Sequence, residues 1–338
     1  MNFKPPLPVF GLPSAKTIQG QVPINALRRI LDSLRRSSLS LVLAFSAPIS
    51  VSAAAIGQTF ATPDDAVSAL GAAVRAQDTN ALRVILGPAA EDLENPDRVQ
   101  AANELNAFTT ALDQSKRIVH ESDSKCVLEV GDNPWPFPVP IVAKDGRWFF
   151  DTEAGEEELL NRRIGRNELS VIAVMRAYVD AQREYASRDR NGDEVLEYAQ
   201  RLASSPGNKD GLYWPPDLDG ELSPLGPFVA NAQTEGYQLT TDAGNADRAP
   251  FHGYYFKILM RQGRHAPGGK YDYVINGHMI GGFALVAWPA EYGTSGVMTF
   301  IVNQQGKVYQ QDLGKKTTRI ARTMTTYDPG PGWSLSVD

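Results

Sequence analysis

The residues from Asp189 to Glu197 read Asp-Arg-Asn-Gly-Asp-Glu-Val-Leu-Glu, with oxygen-bearing side chains at alternate positions. Asp189, Asn191 and Asp193 stand first, third and fifth, Val195 offers a carbonyl at the seventh, and Glu197 an acid at the ninth. This is the ligand order of a calcium loop: a hard cation takes oxygens, alternation aims them at one point, and glycine lets the chain curl. Two departures weaken the match. Glu194 follows the third ligand where glycine is usual, and Gln200 holds the twelfth position, where a bidentate glutamate is usual. The other reading is a solvated turn rich in Asp, Asn and Gly. The spacing leaves two outcomes: calcium held by Asp189, Asn191, Asp193 and Glu197, or a turn alone.

The other reactive residue types form no complete set. The four histidines are His120, His252, His265 and His278. His265 and His278 share a Gly-rich stretch, 263–281, with Asp272, and the three could converge on a metal. Their spacing matches no compact zinc pattern, and hydrogen-bonded loop residues are the plainer reading. Gly293-Thr294-Ser295-Gly296 lacks the form of a nucleophile elbow and reads as a hairpin turn. No phosphate loop or dinucleotide fingerprint is present. The acids Glu156-Glu157-Glu158 sit at an expected helix start, where the dipole favours them. Cys126 is the single cysteine, so no internal disulfide can form. It lies in Lys125–Val130, which alternates like a strand, and is expected to be a buried, inert thiol. No catalytic or cofactor-binding residue is predicted, and the chain is expected not to be an enzyme.

The elements around these residues follow from periodicity. Thr62-Pro63-Asp64-Asp65 is a helix start, and Ala66, Val67, Leu70, Ala73 and Val74 follow at helical spacing. A short helix near 81–86 and a third over about 97–113 come next. Four strands follow, 117–121, 125–130, 138–144 and 147–151, with Asp145-Gly146 as a hairpin turn. Pro134 to Pro140 is a dense proline cluster that fits a rigid edge strand, with Trp135 and Phe137 packed on their own layer. A long helix is expected from about 156 to 187, interrupted near Gly165. Its buried stripe is Val171, Met175, Tyr178, Gln182 and Tyr185, stepping by four and three. Another short helix is expected at 194–202 and a helical piece near 226–234. Strands at 254–262, 283–291, 297–304 and 307–312 complete the chain. The fold class is α+β: helices on a curved antiparallel sheet, then a long helix packed on a second small antiparallel sheet. Residues 56–155 and 156–338 are the expected domains.

The front of the chain, "PDDAVSALGAAVRAQDTNALRVIL", and the later "VAKDGRWFFDT" resemble the nuclear-transport-factor-2-like superfamily, a cone of helices on a curved sheet. That superfamily includes enzymes and binding modules, so fold alone does not choose between them. The second half, "NELSVIAVMRAYVDAQREYAS" with "GYYFKIL" and "GGFALVAWPAEYGTSGVMTFIVNQQGKVY", resembles the globular head of type IV pilins and pseudopilins. Pilins carry an apolar membrane stem directly before this helix. Here Asn161-Arg162-Arg163-Ile164-Gly165-Arg166 stands in that place, so the pilin route into a filament is closed. Over residues 60–330 the strings "DNPWPFPVPIV", "NRRIGRNELSVI", "YVDAQREYASRDRNGD", "EYAQRLASSPGNKDGLYWP" and "GGFALVAWPAEYG" resemble the bacterial family catalogued as domain of unknown function 2950. The resemblance implies a signal peptide and an envelope location, and carries no activity with it.

The N-terminal stretch agrees with that implication. Arg28, Arg29, Arg35 and Arg36 precede an apolar run from Leu39 to Val51, which ends in Ser52-Ala53-Ala54-Ala55. Basic flank, short apolar core and small-residue exit predict a secretory signal peptide over residues 1–55. Cleavage between Ala53 and Ala55 leaves no stable membrane span. Without residues 1–53 the chain holds 27 basic and 38 acidic residues, a net charge of −11. That balance excludes nucleic acid as a partner, because a basic face is required. The expectation is a periplasmic or secreted envelope protein, non-catalytic, which binds a partner at the envelope or surface or serves a structure there. The alternative is a periplasmic enzyme or small-ligand binder using a pocket in the N-terminal domain.

Overall fold

Thr62 opens the first helix. Its hydroxyl accepts the Asp65 amide at 3.1 Å, while the Asp65 carboxylate accepts the Thr62 amide at 3.2 Å, a reciprocal cap with Pro63 at the first helical position. The helix is α1, Pro63–Arg75. α2, Thr79–Leu86, is capped by Asp78, and α3, Arg98–Gln114, by Asp97. These helices come from a computed structural model that describes residues 56–91, 93–190, 192–216, 220–238 and 249–336. The expected signal peptide and Asn191 lie outside the described residues.

The first sheet follows, with β1 (Lys116–Ser122), β2 (Lys125–Val130), β3 (Trp135–Pro136), β4 (Ile141–Lys144) and β5 (Arg147–Phe150). Its order is β1-β2-β4-β5, antiparallel, with β3 also on β2. Asp145 and Gly146 both take positive φ, as the two-residue hairpin between β4 and β5 requires. Leu70, Leu128, Ile141 and Phe150 are buried in the hydrophobic cluster of this part of the chain. Phe137 packs 5.2 Å from Phe108 and Trp135 lies against both, so the aromatics of the proline cluster serve their own layer.

α4, Thr152–Tyr185, is 34 residues long and starts four residues before the expected point, because Asp151 caps it by accepting the Ala154 amide. It runs through Gly165 without a break. At its start Thr152 donates to the Leu86 carbonyl at 2.6 Å, which ties it to the first layer. Further along, Val171, Met175, Tyr178, Gln182 and Tyr185 are all buried, as their spacing predicts.

After α5 (Gly226–Thr234) come β6 (Tyr254–Leu259), β7 (Arg261–Gln262), β8 (Tyr271–Asp272), β9 (Val274–Ile275), β10 (His278–Met279), β11 (Ala284–Pro289), β12 (Met298–Asn303) and β13 (Tyr309–Asp312). α6 (Thr317–Thr323), β14 (Thr326–Tyr327) and β15 (Ser334–Leu335) close the described chain. The larger sheet has the order β15-β13-β12-β11-β6. Every residue of β11 is buried, which requires cover on both faces. α4 packs on β11 and β12, and α6 packs on β11. α6 escapes the sequence reading because Thr317–Thr323 is short and polar, with only Thr317 and Ala321 buried.

The expected helix at 194–202 is not there. Glu194 sits at φ 67°, outside the right-handed region, and the chain beyond runs without regular structure. Its backbone is taken by tertiary partners: the Tyr198 amide donates to the Met279 carbonyl at 2.8 Å, and the Ala199 amide to Gln182 Oε1 at 2.9 Å. Those bonds replace the intrahelical ones that the local sequence would have formed.

The described residues belong to one compact unit holding two hydrophobic clusters. Leu159 of α4 packs on the first cluster and Val171 to Tyr185 belong to the second, so the expected boundary at 155/156 lies inside one helix. Two buried polar side chains join the halves. Asp97 accepts the Gln100 amide (3.0 Å), the Tyr237 hydroxyl (2.8 Å) and the Gly253 amide (3.0 Å). Asn167 accepts from Gln100 Nε2 at 2.6 Å and donates to the Ser295 carbonyl at 2.8 Å.

Candidate functional site

Two features stand out. The first is a cluster of Asp193, Glu197 and His278, with one ligand atom from each lying within 4.8 Å of the others. His278 Nδ1 stands 3.5 Å from Asp193 Oδ2 and 3.4 Å from Glu197 Oε2. It is shut off from water and makes no hydrogen bond to a described residue.

The three side chains arrive from different elements. Asp193 lies in the turn after α4. There Asp193 Oδ1 accepts the Val195 amide at 2.8 Å, and Oδ2 faces the histidine. Glu197 comes from the extended segment, and its Oε2 also accepts the Met279 amide at 3.2 Å. His278 is carried by the β9–β10 hairpin, whose Asn276-Gly277 turn has positive φ at both residues. Gln200 clamps that turn by donating to the Gly277 carbonyl at 2.6 Å, while Gln182 inside α4 holds Ala199 through both its amide and its carbonyl. The segments that carry Glu197 and His278 are thus each held by hydrogen bonds to their backbone.

The residues expected to hold calcium are placed as follows. Both oxygens of Asp189 accept backbone amides, Oδ1 from Gly192 at 2.7 Å and Oδ2 from Glu194 at 2.9 Å, so Asp189 ties the turn together. Asp193 and Glu197 meet at the cluster, and Asn191 lies outside the described residues. The grouping of His265, His278 and Asp272 is not formed. His265 pairs with Asp328 at 3.0 Å, Asp272 with Arg261 at 3.3 Å, and His278 turns to the acids. No local signal links His278 to Asp193 and Glu197, because they meet only when the hairpin folds onto the extended segment.

The remaining sequence candidates have structural surroundings. Cys126 is wholly buried, its sulfur 3.2 Å from His120 Nδ1, and burial raises its thiol pKa. Ser295 closes the hairpin turn, with its hydroxyl donating to the Glu291 carbonyl at 3.1 Å. His252 packs on Phe251 and Tyr237 with Nε2 3.3 Å from Glu235; burial holds its pKa below the ordinary value, although Glu235 and Asp97 pull the other way.

The second feature is a cavity of about 440 Å³ between α4, α5 and the larger sheet. Val174, Ala177 and Tyr178 of α4 form one wall, and Phe228 and Ala232 of α5 another. Phe256, Leu285 and Phe251 close it from the sheet side. Among the described residues that line it, none is Asp, Glu, Lys, Arg, His, Cys or Ser. Two of its tyrosines already use their hydroxyls within the protein: Tyr178 donates to the Ala284 carbonyl and Tyr237 to Asp97. Burial drives both hydroxyls well above the usual tyrosine range. The described walls can hold an apolar body, and no described lining residue is a nucleophile or a proton donor matched to neutral pH.

An α+β protein with two hydrophobic clusters, an apolar cavity beside α4 and a small acid–histidine cluster is the class that fold and sites define. The chain belongs to the family described as protein of unknown function DUF2950, whose model matches residues 57–336. No curated protein and no solved structure matches it. No helix among the described residues is long and apolar enough to cross a membrane.

Proposed function

We propose that this chain is an exported protein of the bacterial envelope that works as a non-catalytic binding module, with a small apolar ligand held in the cavity beside α4. The observation that carries the reading is the cavity's lining: about 440 Å³ walled by aliphatic and aromatic side chains, a volume in the range of ligand pockets. A site built for hydrolysis or group transfer would bring acid, base or nucleophile to its wall, and none of the described lining residues fills that role at neutral pH. Export is supported by the basic flank, the apolar run and the small-residue exit of residues 28–55. The acidic net charge of the remainder speaks for a protein or small-molecule partner rather than nucleic acid.

The test is a fluorescence titration with an uncharged naphthylamine reporter. Saturable enhancement that is lost in Ala177→Trp, which fills the cavity, with the circular dichroism unchanged, is the expected result. No enhancement, or enhancement equal in wild type and variant, removes the cavity from the proposal. Export is tested by fractionating cells that make the full chain and sequencing the N-terminus of the product. A product retained in the cytoplasm with residues 1–55 intact defeats that half.

A further inference from the structure

We infer that Asp193, Glu197 and His278 form a binding site for a divalent metal of the zinc type. Metal–ligand bonds of about 2.0–2.2 Å in a tetrahedron put neighbouring ligand atoms about 3.3–3.6 Å apart. His278 Nδ1 stands 3.4 Å from Glu197 Oε2 and 3.5 Å from Asp193 Oδ2, so two of the three edges already have that length. The third carboxylate–carboxylate edge lies within 4.8 Å, a gap that a small side-chain rotation closes.

Hydrogen bonding does not account for the place of the His278 ring nitrogen. Both carboxylates are near the ring nitrogen, yet Nδ1 hydrogen-bonds to neither and is closed to water. Three donor atoms facing a common point, one of them a buried nitrogen otherwise left unsatisfied, is the geometry a cation resolves. The donor set also chooses the cation. Calcium and magnesium take oxygen ligands, whereas an imidazole nitrogen beside carboxylates suits zinc and its first-row neighbours. Glu197 is oriented by the Met279 amide, and the hairpin carrying His278 is clamped by Gln200, so the ligands are supported from behind as metal ligands usually are. Three protein ligands leave a fourth position on the exposed side, where Asp193 meets solvent.

This ligand set differs from the calcium loop that the spacing of residues 189–197 suggests. It drops Asp189, whose oxygens hold the turn, and adds a histidine from a distant hairpin. The experiment titrates zinc(II) alone into the untagged chain at neutral pH, with a chromophoric chelator as competitor, and repeats it with calcium. Expected are one zinc per chain, a rise in melting temperature with zinc, and at least ~10-fold weaker zinc binding in His278→Gln and in Glu197→Gln. Circular dichroism checks that both variants are folded. Cobalt(II) gives a second reading: visible d–d absorption present in wild type and lost in His278→Gln. Zinc binding that is absent, or unchanged in His278→Gln, overturns the site. So does calcium binding that is lost in Asp189→Asn and kept in His278→Gln, which would assign the metal to the loop.

Discussion

Replacing Asp97 by alanine tests whether the two hydrophobic clusters are joined through one buried carboxylate. Asp97 is 1% exposed and serves three donors from separate parts of the chain. Loss of its bond to the Gln100 amide removes the cap of α3, a change worth about 1 kcal/mol. The Tyr237 hydroxyl and the Gly253 amide would then be left without their carboxylate, at about 1–3 kcal/mol each. The sum is about 3–7 kcal/mol, or a fall in melting temperature on the order of 10 °C for a chain of this size. Asp78→Ala is the internal control. Asp78 also caps a helix, through the Ala81 amide, but it is exposed and serves α2 alone, so its loss is expected to cost about 1 kcal/mol. The assay is a pair of thermal melts by circular dichroism, with calorimetry to obtain the enthalpy. If Asp97→Ala melts no lower than Asp78→Ala, the buried junction contributes nothing beyond a helix cap and the reasoning fails.

Two further outcomes follow from burial. Tyr178, Tyr237, Tyr254, Tyr273 and Tyr327 are held above the usual tyrosine range chiefly by desolvation, and Tyr185 is pushed up to about 12. In the unfolded chain these groups ionise near pH ~10, so their stabilisation is intact below that pH and is lost as pH rises through the folded values. Urea midpoints should therefore fall between about pH 8 and about pH 11, together with a late rise in tyrosinate absorbance; flat midpoints would refute this. The Cys126 thiol, wholly buried and shifted upward by that burial, should react with a disulfide reagent only under unfolding conditions. Labelling of the native chain at the rate of a free cysteine peptide would show the thiol to be accessible.

Much of the fold is legible because it rests on local pattern. The reciprocal cap at Thr62 and Asp65, the Asp145-Gly146 hairpin and the buried stripe from Val171 to Tyr185 are written in neighbouring residues. Segment 194–202 misleads the same logic. Glu194 to Leu202 has helix-forming composition, but Gln182 and Met279 take its backbone groups, and neither is near it in sequence. α6 is missed for the opposite reason, since only two of its seven residues are buried and no apolar face announces it.

The sites divide along the same line. By itself the sequence determined the family to which the chain belongs, the α+β class, the burial of Cys126 and the presence of acids at 189–197, because each depends on composition or on residues close together in the chain. Only tertiary structure decided which acids meet a histidine and where an apolar cavity opens. His278 reaches Glu197 because a hairpin folds onto an extended segment, and the cavity exists because α5 stands off from α4 and the sheet. Both are distances between elements far apart in the chain, set by how their backbones are satisfied and packed, and no periodicity along the chain encodes them.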